Sequence, residues 1–293
     1  MKNNKPLLQL HIAIFLWGFT GVLGNLINLN EIWIVWYRLL ITAVTLIIIN
    51  ICTHKVLIIT HSQKLQIAMA GCLQALHWVC FFASVKYANV AVALICLSST
   101  SFFTAMLEAI LYQRKVNVIE LSLSAVAIVG IIFIFYADFS FSKGIYFGIA
   151  SALLIAVVPI LNKQQLKVTN AQTVTMWSIL GGLVIVSILL PIYTSFIHPY
   201  TAVPSLPDWL WLLVLSWLCT IVTWRLSFAA LQKISAFTQN LLLNLEPVYG
   251  ILFAVIILKE YKQYNTYFYI GISCIILTVV LQTMLIKANK NGN

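Results

Sequence analysis

The segment Phe82-Ala83-Ser84-Val85-Lys86-Tyr87-Ala88-Asn89-Val90-Ala91 reappears 146 residues later as Phe228-Ala229-Ala230-Leu231-Gln232-Lys233-Ile234-Ser235-Ala236-Phe237, about half the chain away. Each copy leads into another apolar stretch, a short charged turn and a further apolar stretch. The chain therefore reads as one unit written twice. With an odd number of membrane crossings per unit, the second copy must enter the bilayer upside down. Inverted repeats of this kind place a central site between two halves.

The composition requires a membrane reading. The chain is 62% apolar and 8% charged, against roughly half and a quarter for a soluble domain. A bilayer core about 30 Å thick needs about 20 apolar residues per helix. Ten stretches meet that length: 7–28, 31–52, 64–86, 88–112, 118–137, 144–162, 171–195, 208–231, 235–258 and 264–287. Their continuity excludes the alternating strands of an outer-membrane barrel. The expected fold is an all-α integral membrane protein of ten transmembrane helices, built as two inverted five-helix repeats over residues 1–140 and 141–293. Little chain is left for a soluble domain. The longest connections fall near 53–63 and 196–207, the second carrying Pro199, Pro204 and Pro207. The first apolar run is long enough to span and lacks a small-residue cleavage site, so it reads as an uncleaved anchor. The six cysteines lie in or at the ends of apolar runs with no metal-type pairing, and they read as small helix-packing residues.

The net charge of +10 is explained by topology rather than by nucleic acid. With the N-terminus in the cytoplasm, eleven Lys and Arg fall inside and four outside (Lys86, Lys143, Lys259 and Lys262). Arg38 and Arg225 remain within spans. The positive-inside rule places both termini in the cytoplasm of a multi-pass protein of the cell (inner) membrane.

Several segments resemble the ten-helix drug/metabolite transporter superfamily with paired EamA domains. Leu16-Trp17-Gly18 is similar to the family's Trp-Gly near the repeat start, and Trp36-Tyr37-Arg38-Leu39-Leu40 to its Arg-containing segment. Thr100-Ser101-Phe102 resembles a Thr-Ser-Pro segment with Phe102 in place of proline. Its counterpart, Leu245-Glu246-Pro247, matches the second-half Leu-Glu-Pro pattern. Leu258-Lys259-Glu260 resembles the following Leu-Gly-Glu turn without its glycine, and the first-half equivalent, Tyr112-Gln113-Arg114-Lys115, lacks the acid. The resemblance implies a central cavity and the export or exchange of small metabolites, such as amino acids or related organic compounds, without ATP. It does not name the substrate.

Charge inside a span costs at least about 2.5–3.5 kcal/mol at mid-bilayer, so each such residue needs a reason. Glu108 is close enough to a helix end to reach the interface or to pair with Arg114 or Lys115. Arg38 fits a gating or architectural role. Arg225 stands where the family pattern is apolar, and either contacts an anionic or zwitterionic substrate or snorkels to the interface. Glu246 is too deep to snorkel, and Pro247 after it removes a helical hydrogen bond and allows a bend. Glu246 is expected to pair with an arginine, carry a coupled proton or stay neutral. His77 has a proton affinity suited to an interhelical bond or to proton and anion handling.

Trp17 and Trp78 are candidate stacking surfaces. Ser101, Gln239, Asn240 and Asn244 are candidate cavity-lining polar groups. Gly18, Gly21 and Gly24 allow close approach on the first helix, and Pro159 is a candidate kink. No metal motif, nucleophile elbow or phosphate loop occurs. An enzyme is therefore not expected, nor is a cofactor, and proton coupling is compatible with Glu246 and His77. The expected partners are a small-molecule substrate and the lipid bilayer, with the chain as monomer or homodimer. A polytopic enzyme or receptor with its site between the repeats is the alternative. The topology is checked by reporter fusions at Lys143 and Asn293, which are expected to score on opposite sides of the membrane.

Overall fold

The computed structural model describes residues 5–113, 139–196, 203–234 and 245–291, with Gln239, Leu242, Leu243 and scattered positions between 122 and 136. All regular structure among the described residues is helical. The elements are α1 (Lys5–Leu26), α2 (Glu31–Thr53), α3 (His61–Tyr87), α4 (Val90–Leu97), α5 (Thr100–Tyr112), α6 (Ser142–Gln165) and α7 (Ala171–Phe196). Then α8 (Leu206–Ser216) continues through a π-turn (Trp217–Val222) into α9 (Thr223–Leu231). Last come α10 (Glu246–Phe253), a second π-turn (Ala254–Leu258), a 3-10 turn (Glu260–Gln263) and α11 (Thr266–Asn291).

Seven helical stretches among the described residues are long and apolar enough to cross a bilayer, and Glu246–Leu258 and Thr266–Thr278 are shorter apolar helices. The expected span at 118–137 falls mostly outside the described residues, as does the side chain of Glu108. Lipid-type residues such as Ile48, Ile51 and Ile188 face outward, as a bundle without an aqueous exterior requires.

Polar side chains fix where helices begin. Asn30 accepts from Trp33 N at 3.1 Å to start α2, and Asn170 accepts from Thr173 N at 2.8 Å to start α7. Capping boxes open α3 (Thr60 with Gln63) and α8 (Ser205 with Asp208). Each supplies an oxygen to backbone N–H groups that the helix itself cannot satisfy. These caps mark two ends of the bundle. Thr53, Lys55, Asn170 and Gln172 meet at one, the Asn170 end. Asn28, Glu31, Lys86, Tyr193 and Asp208 meet at the other, the Asp208 end.

The repeat is visible in the irregular positions. Gln113 and Lys259, 146 residues apart, both end a helix in the left-handed conformation, with φ of 50° and 56°. Thr100 and Glu246, at the same spacing, both open the second limb of a broken helix. At the first break Ser98, Ser99 and Thr100 turn their hydroxyls onto the carbonyls of Ile95, Cys96 and Leu97 at 2.6–2.7 Å. Such bonds compete with helix continuation. At the second, Pro247 sits in the first turn of α10, where its missing N–H has no helical role. It therefore starts a helix rather than bending a continuous one.

The closest helix contact is between α3 and α7. A Cβ on Gly71 would lie 1.9 Å from the Ser178 carbonyl oxygen, and one on Gly181 would lie 2.4 Å from that of Ala68. Both obstacles are backbone and cannot rotate away. Gly71→Ala is expected to cost at least about 1–3 kcal/mol through overpacking. The drop should appear as a lower Tm of the detergent-solubilised protein. Gly182→Ala, where the nearest atom is 3.1 Å away, should cost less.

Candidate functional site

A cavity of about 850 Å³, its mouth included, lies among α1, α2, α3, the α4–α5 break, α6, α9 and α10. It reaches Asn162, in the last turn of α6, and Ser227 and Gln239. It thus runs close to the Asn170 end. Toward the Asp208 end it stops at Thr20, Phe81 and Arg38, the last about 10 Å from the start of α2 at 1.5 Å per residue.

Arg38 forms the roof of this space and is 1% exposed. Its Nε donates to Thr220 Oγ1 at 2.8 Å, and Nη2 to the Cys219 carbonyl at 3.2 Å. Both acceptors belong to the π-turn between α8 and α9. In that turn Thr220 donates its own hydroxyl to Leu215 O, five residues back, at 2.8 Å. The flat face of the guanidinium lies 3.7 Å from the centre of the Trp78 ring, a cation–π contact strengthened by exclusion of water. Trp78 in turn meets Trp224, its partner at the 146-residue spacing, with ring centroids 5.7 Å apart. Trp17, Phe81 and Phe228 complete the aromatic wall.

Glu246 lies across the cavity from this roof and is 9% exposed. It interacts electrostatically with Arg38. Among the described residues its carboxylate makes no hydrogen bond or direct ion pair. Its equivalent in the first half, Thr100, also lines the cavity. His77 is held by Ser151, whose carbonyl lies 3.0 Å and hydroxyl 2.8 Å from Nδ1. Donation from Nδ1 to the carbonyl assigns the tautomer and leaves Nε2 as the free ring nitrogen. Gln239 donates to Ser227 Oγ at 3.0 Å.

The structure thus brings Trp17, Arg38, His77, Trp78, Gln239 and Glu246 to one cavity. It separates others from it. Arg225 is exposed and absent from the lining. Its neighbour Trp224 points inward, and one residue turns a helix by about 100°, as 3.6 residues per turn implies. Of the two roles expected of Arg225, substrate contact and snorkelling, an exposed side chain outside the lining fits the second. Ser101 is buried beside the lining, its hydroxyl directed to Ser98 O at 3.4 Å, and Pro247 is buried next to Glu246. Asn240 and Asn244 lie outside the described residues. Lining residues not anticipated as site residues include Thr20, Phe81, Pro159, Asn162 and Ser227. Gln74, Thr100 and Pro159 carried a signal, as polar or helix-breaking residues in apolar runs. Thr20, Phe81 and Ser227 had none beyond helical spacing from Trp17, His77 and Trp224, and Asn162 had none.

Apolar helices of spanning length around a polar and aromatic cavity define a multi-pass membrane protein. The chain belongs to the EamA-like transporter family, which matches residues 4–136 and again 142–284. A curated relative, the uncharacterized transporter sll1164 of Synechocystis sp. (strain ATCC 27184 / PCC 6803 / Kazusa), is 27% identical over 190 residues, covering 61% of this chain and 54% of that protein. The match thus spans about half the length of that relative. One protein of known crystal structure shares the fold, with a TM-score of 0.68 at 13% identity over 95% of this chain and 97% of that one.

Arg38→Lys keeps the charge but loses the planar fork and the flat stacking surface. It is expected to cost about 2–4 kcal/mol, from the loss of charged hydrogen bonds and the cation–π contact. A lower Tm with a shifted tryptophan emission, from the exposure of Trp78, would be the readout.

Proposed function

We propose that the protein is a secondary transporter, an exporter or exchanger. It would move small metabolites such as amino acids or related organic compounds across the cytoplasmic membrane by alternating access between two inverted five-helix repeats. The observation that carries this reading is a buried carboxylate, Glu246, with no hydrogen bond among the described residues, inside a largely aromatic cavity at the break of a helix. Broken helices at membrane depth are tolerated where they border such a cavity, and carriers place their sites there. The two family matches and the paired irregularities at Thr100/Glu246 and Gln113/Lys259 support the repeat. The +10 charge and its distribution support cytoplasmic termini.

The chemistry suits a substrate with a protonated amine and a flat or apolar body. Glu246 supplies the acceptor for the amine and the aromatic wall contacts the body, while Arg38 offsets Glu246 when the cavity is empty. Glu246 is also the group placed to exchange a coupled proton. A reading as an enzyme gains nothing from the His77–Ser151 contact, because Ser151 is fully buried and does not line the cavity. Its hydroxyl cannot meet a substrate there.

An uptake screen in proteoliposomes, with and without a pH gradient, tests the proposal. Accumulation of one or more amine-bearing metabolites is expected. Glu246→Gln should lower that uptake at least tenfold at normal membrane levels. Unchanged uptake by this variant across a pH range would remove Glu246 from the mechanism.

A further inference from the structure

We propose that the Asp208 end is held shut by a buried carboxylate lock with no counterpart among the described residues of the Asn170 end, so the carrier rests open toward the Asn170 end. This inference rests on the alternating-access reading above. Asp208 is 3% exposed, and its Oδ1 accepts from Asn28 N at 2.7 Å while Oδ2 serves its own capping box. Buried Glu31 accepts from the Tyr193 hydroxyl. Lys86 lies in the field of both acids and donates to Ile27 O at 2.7 Å. Glu260, also buried, accepts from Val90 N at 3.0 Å and Ala91 N at 3.3 Å, capping α4 from the other half of the chain. Each of the three acids therefore joins the first half of the chain to the second.

The repeat identifies what stands in their places at the other end. The capping boxes pair Asp208 with Gln63, and the helix-starting asparagines Asn30 and Asn170 pair Glu31 with Ala171. The 146-residue spacing pairs Lys86 with Gln232 and Glu260 with Arg114, the last outside the described residues. No acid remains in the second set. The hydrogen bonds that join the two halves at the Asn170 end are neutral: Asn170 Nδ2 to Lys55 O at 2.8 Å, Leu57 N to Thr173 Oγ1 at 2.9 Å, and Gln165 to Gln66 at 2.8 Å. The cations there, Lys64 over the Trp177 ring at 5.0 Å and Lys163 on the Leu231 and Ile234 carbonyls, meet no carboxylate among the described residues.

The difference has an energetic sign. Hydrogen bonds to an ionised group are roughly twice as strong as neutral ones. Separating the Asp208 end leaves buried carboxylates and N–H groups to be rehydrated together. The neutral contacts at the Asn170 end exchange for water with little net change. A two-state carrier then populates the state in which the lock is made.

The test labels Asn25→Cys and Val203→Cys with spin labels. Both residues are exposed and lie on opposite sides of the Asn28–Asp208 contact. The background is the full chain with its six native cysteines replaced, in lipid nanodiscs. Without substrate, one short-distance population is expected. Asp208→Asn and Glu31→Gln should each raise a longer-distance population at least threefold, and Asn170→Ala should not. A mainly long distance in the unmodified lock, or unmoved distributions in both acid variants, overturns the lock. So does an equal shift on Asn170→Ala. If an acid variant fails to reach the membrane, Lys86→Gln serves as the second probe, with the same longer population expected and an unmoved distribution counting against the lock. Uptake by the same labelled protein separates the two proposals. Transport with unmoved distances defeats the lock alone. Shifted distances without transport of any solute support the lock and defeat the carrier reading.

Discussion

The buried guanidinium of Arg38 is the most demanding group in the bundle, and much of the site can be understood as its accommodation. A cation shielded from water must find acceptors in a region where helices use up their own carbonyls. The π-turn at Trp217–Val222 supplies them by letting the Cys219 carbonyl and Thr220 hydroxyl turn toward α2. Trp78 covers the remaining face, and Trp224 supports Trp78. A segment of the second half is thereby fastened to α2 of the first, just above the cavity. π-turns occur disproportionately at functional positions, and here the reason is specific.

A second accommodation occurs at the helix breaks. The hydroxyls of Ser98, Ser99 and Thr100 take local carbonyls, and Pro247 falls where no N–H is needed. The chain can then place Thr100 and Glu246 on the cavity wall without stranding backbone groups in an apolar layer. A buried carboxylate with no hydrogen bond among the described residues is unfavourable as pure structure, which is why it carries the functional argument.

The sequence made the helical membrane class and the 146-residue spacing legible. It singled out Trp17, His77, Trp78 and Gln239 as cavity-lining candidates and Arg38 and Glu246 as gating or coupling candidates, and all six stand at one cavity. It left two readings of Arg225 open because distance along a helix gives depth but not azimuth. A π-turn upstream adds a residue to one turn, and periodicity cannot register that shift. Ser101 was misplaced for a related reason: in a run of hydroxyl residues, only the local bonding decides which one faces the cavity. Asn162 follows from packing between distant helices, for which a single sequence carries no pattern.

The clasp between α3 and α7 has its own consequence. At Gly71 and Gly181 the two backbones touch with no side chain between them. Sliding needs an intervening layer of side chains that can change rotamer, and none is present. These two helices, one from each half of the chain, are therefore welded into a single stave. The pair held rigid here crosses the division in which the sequence is written, taking one helix from each half.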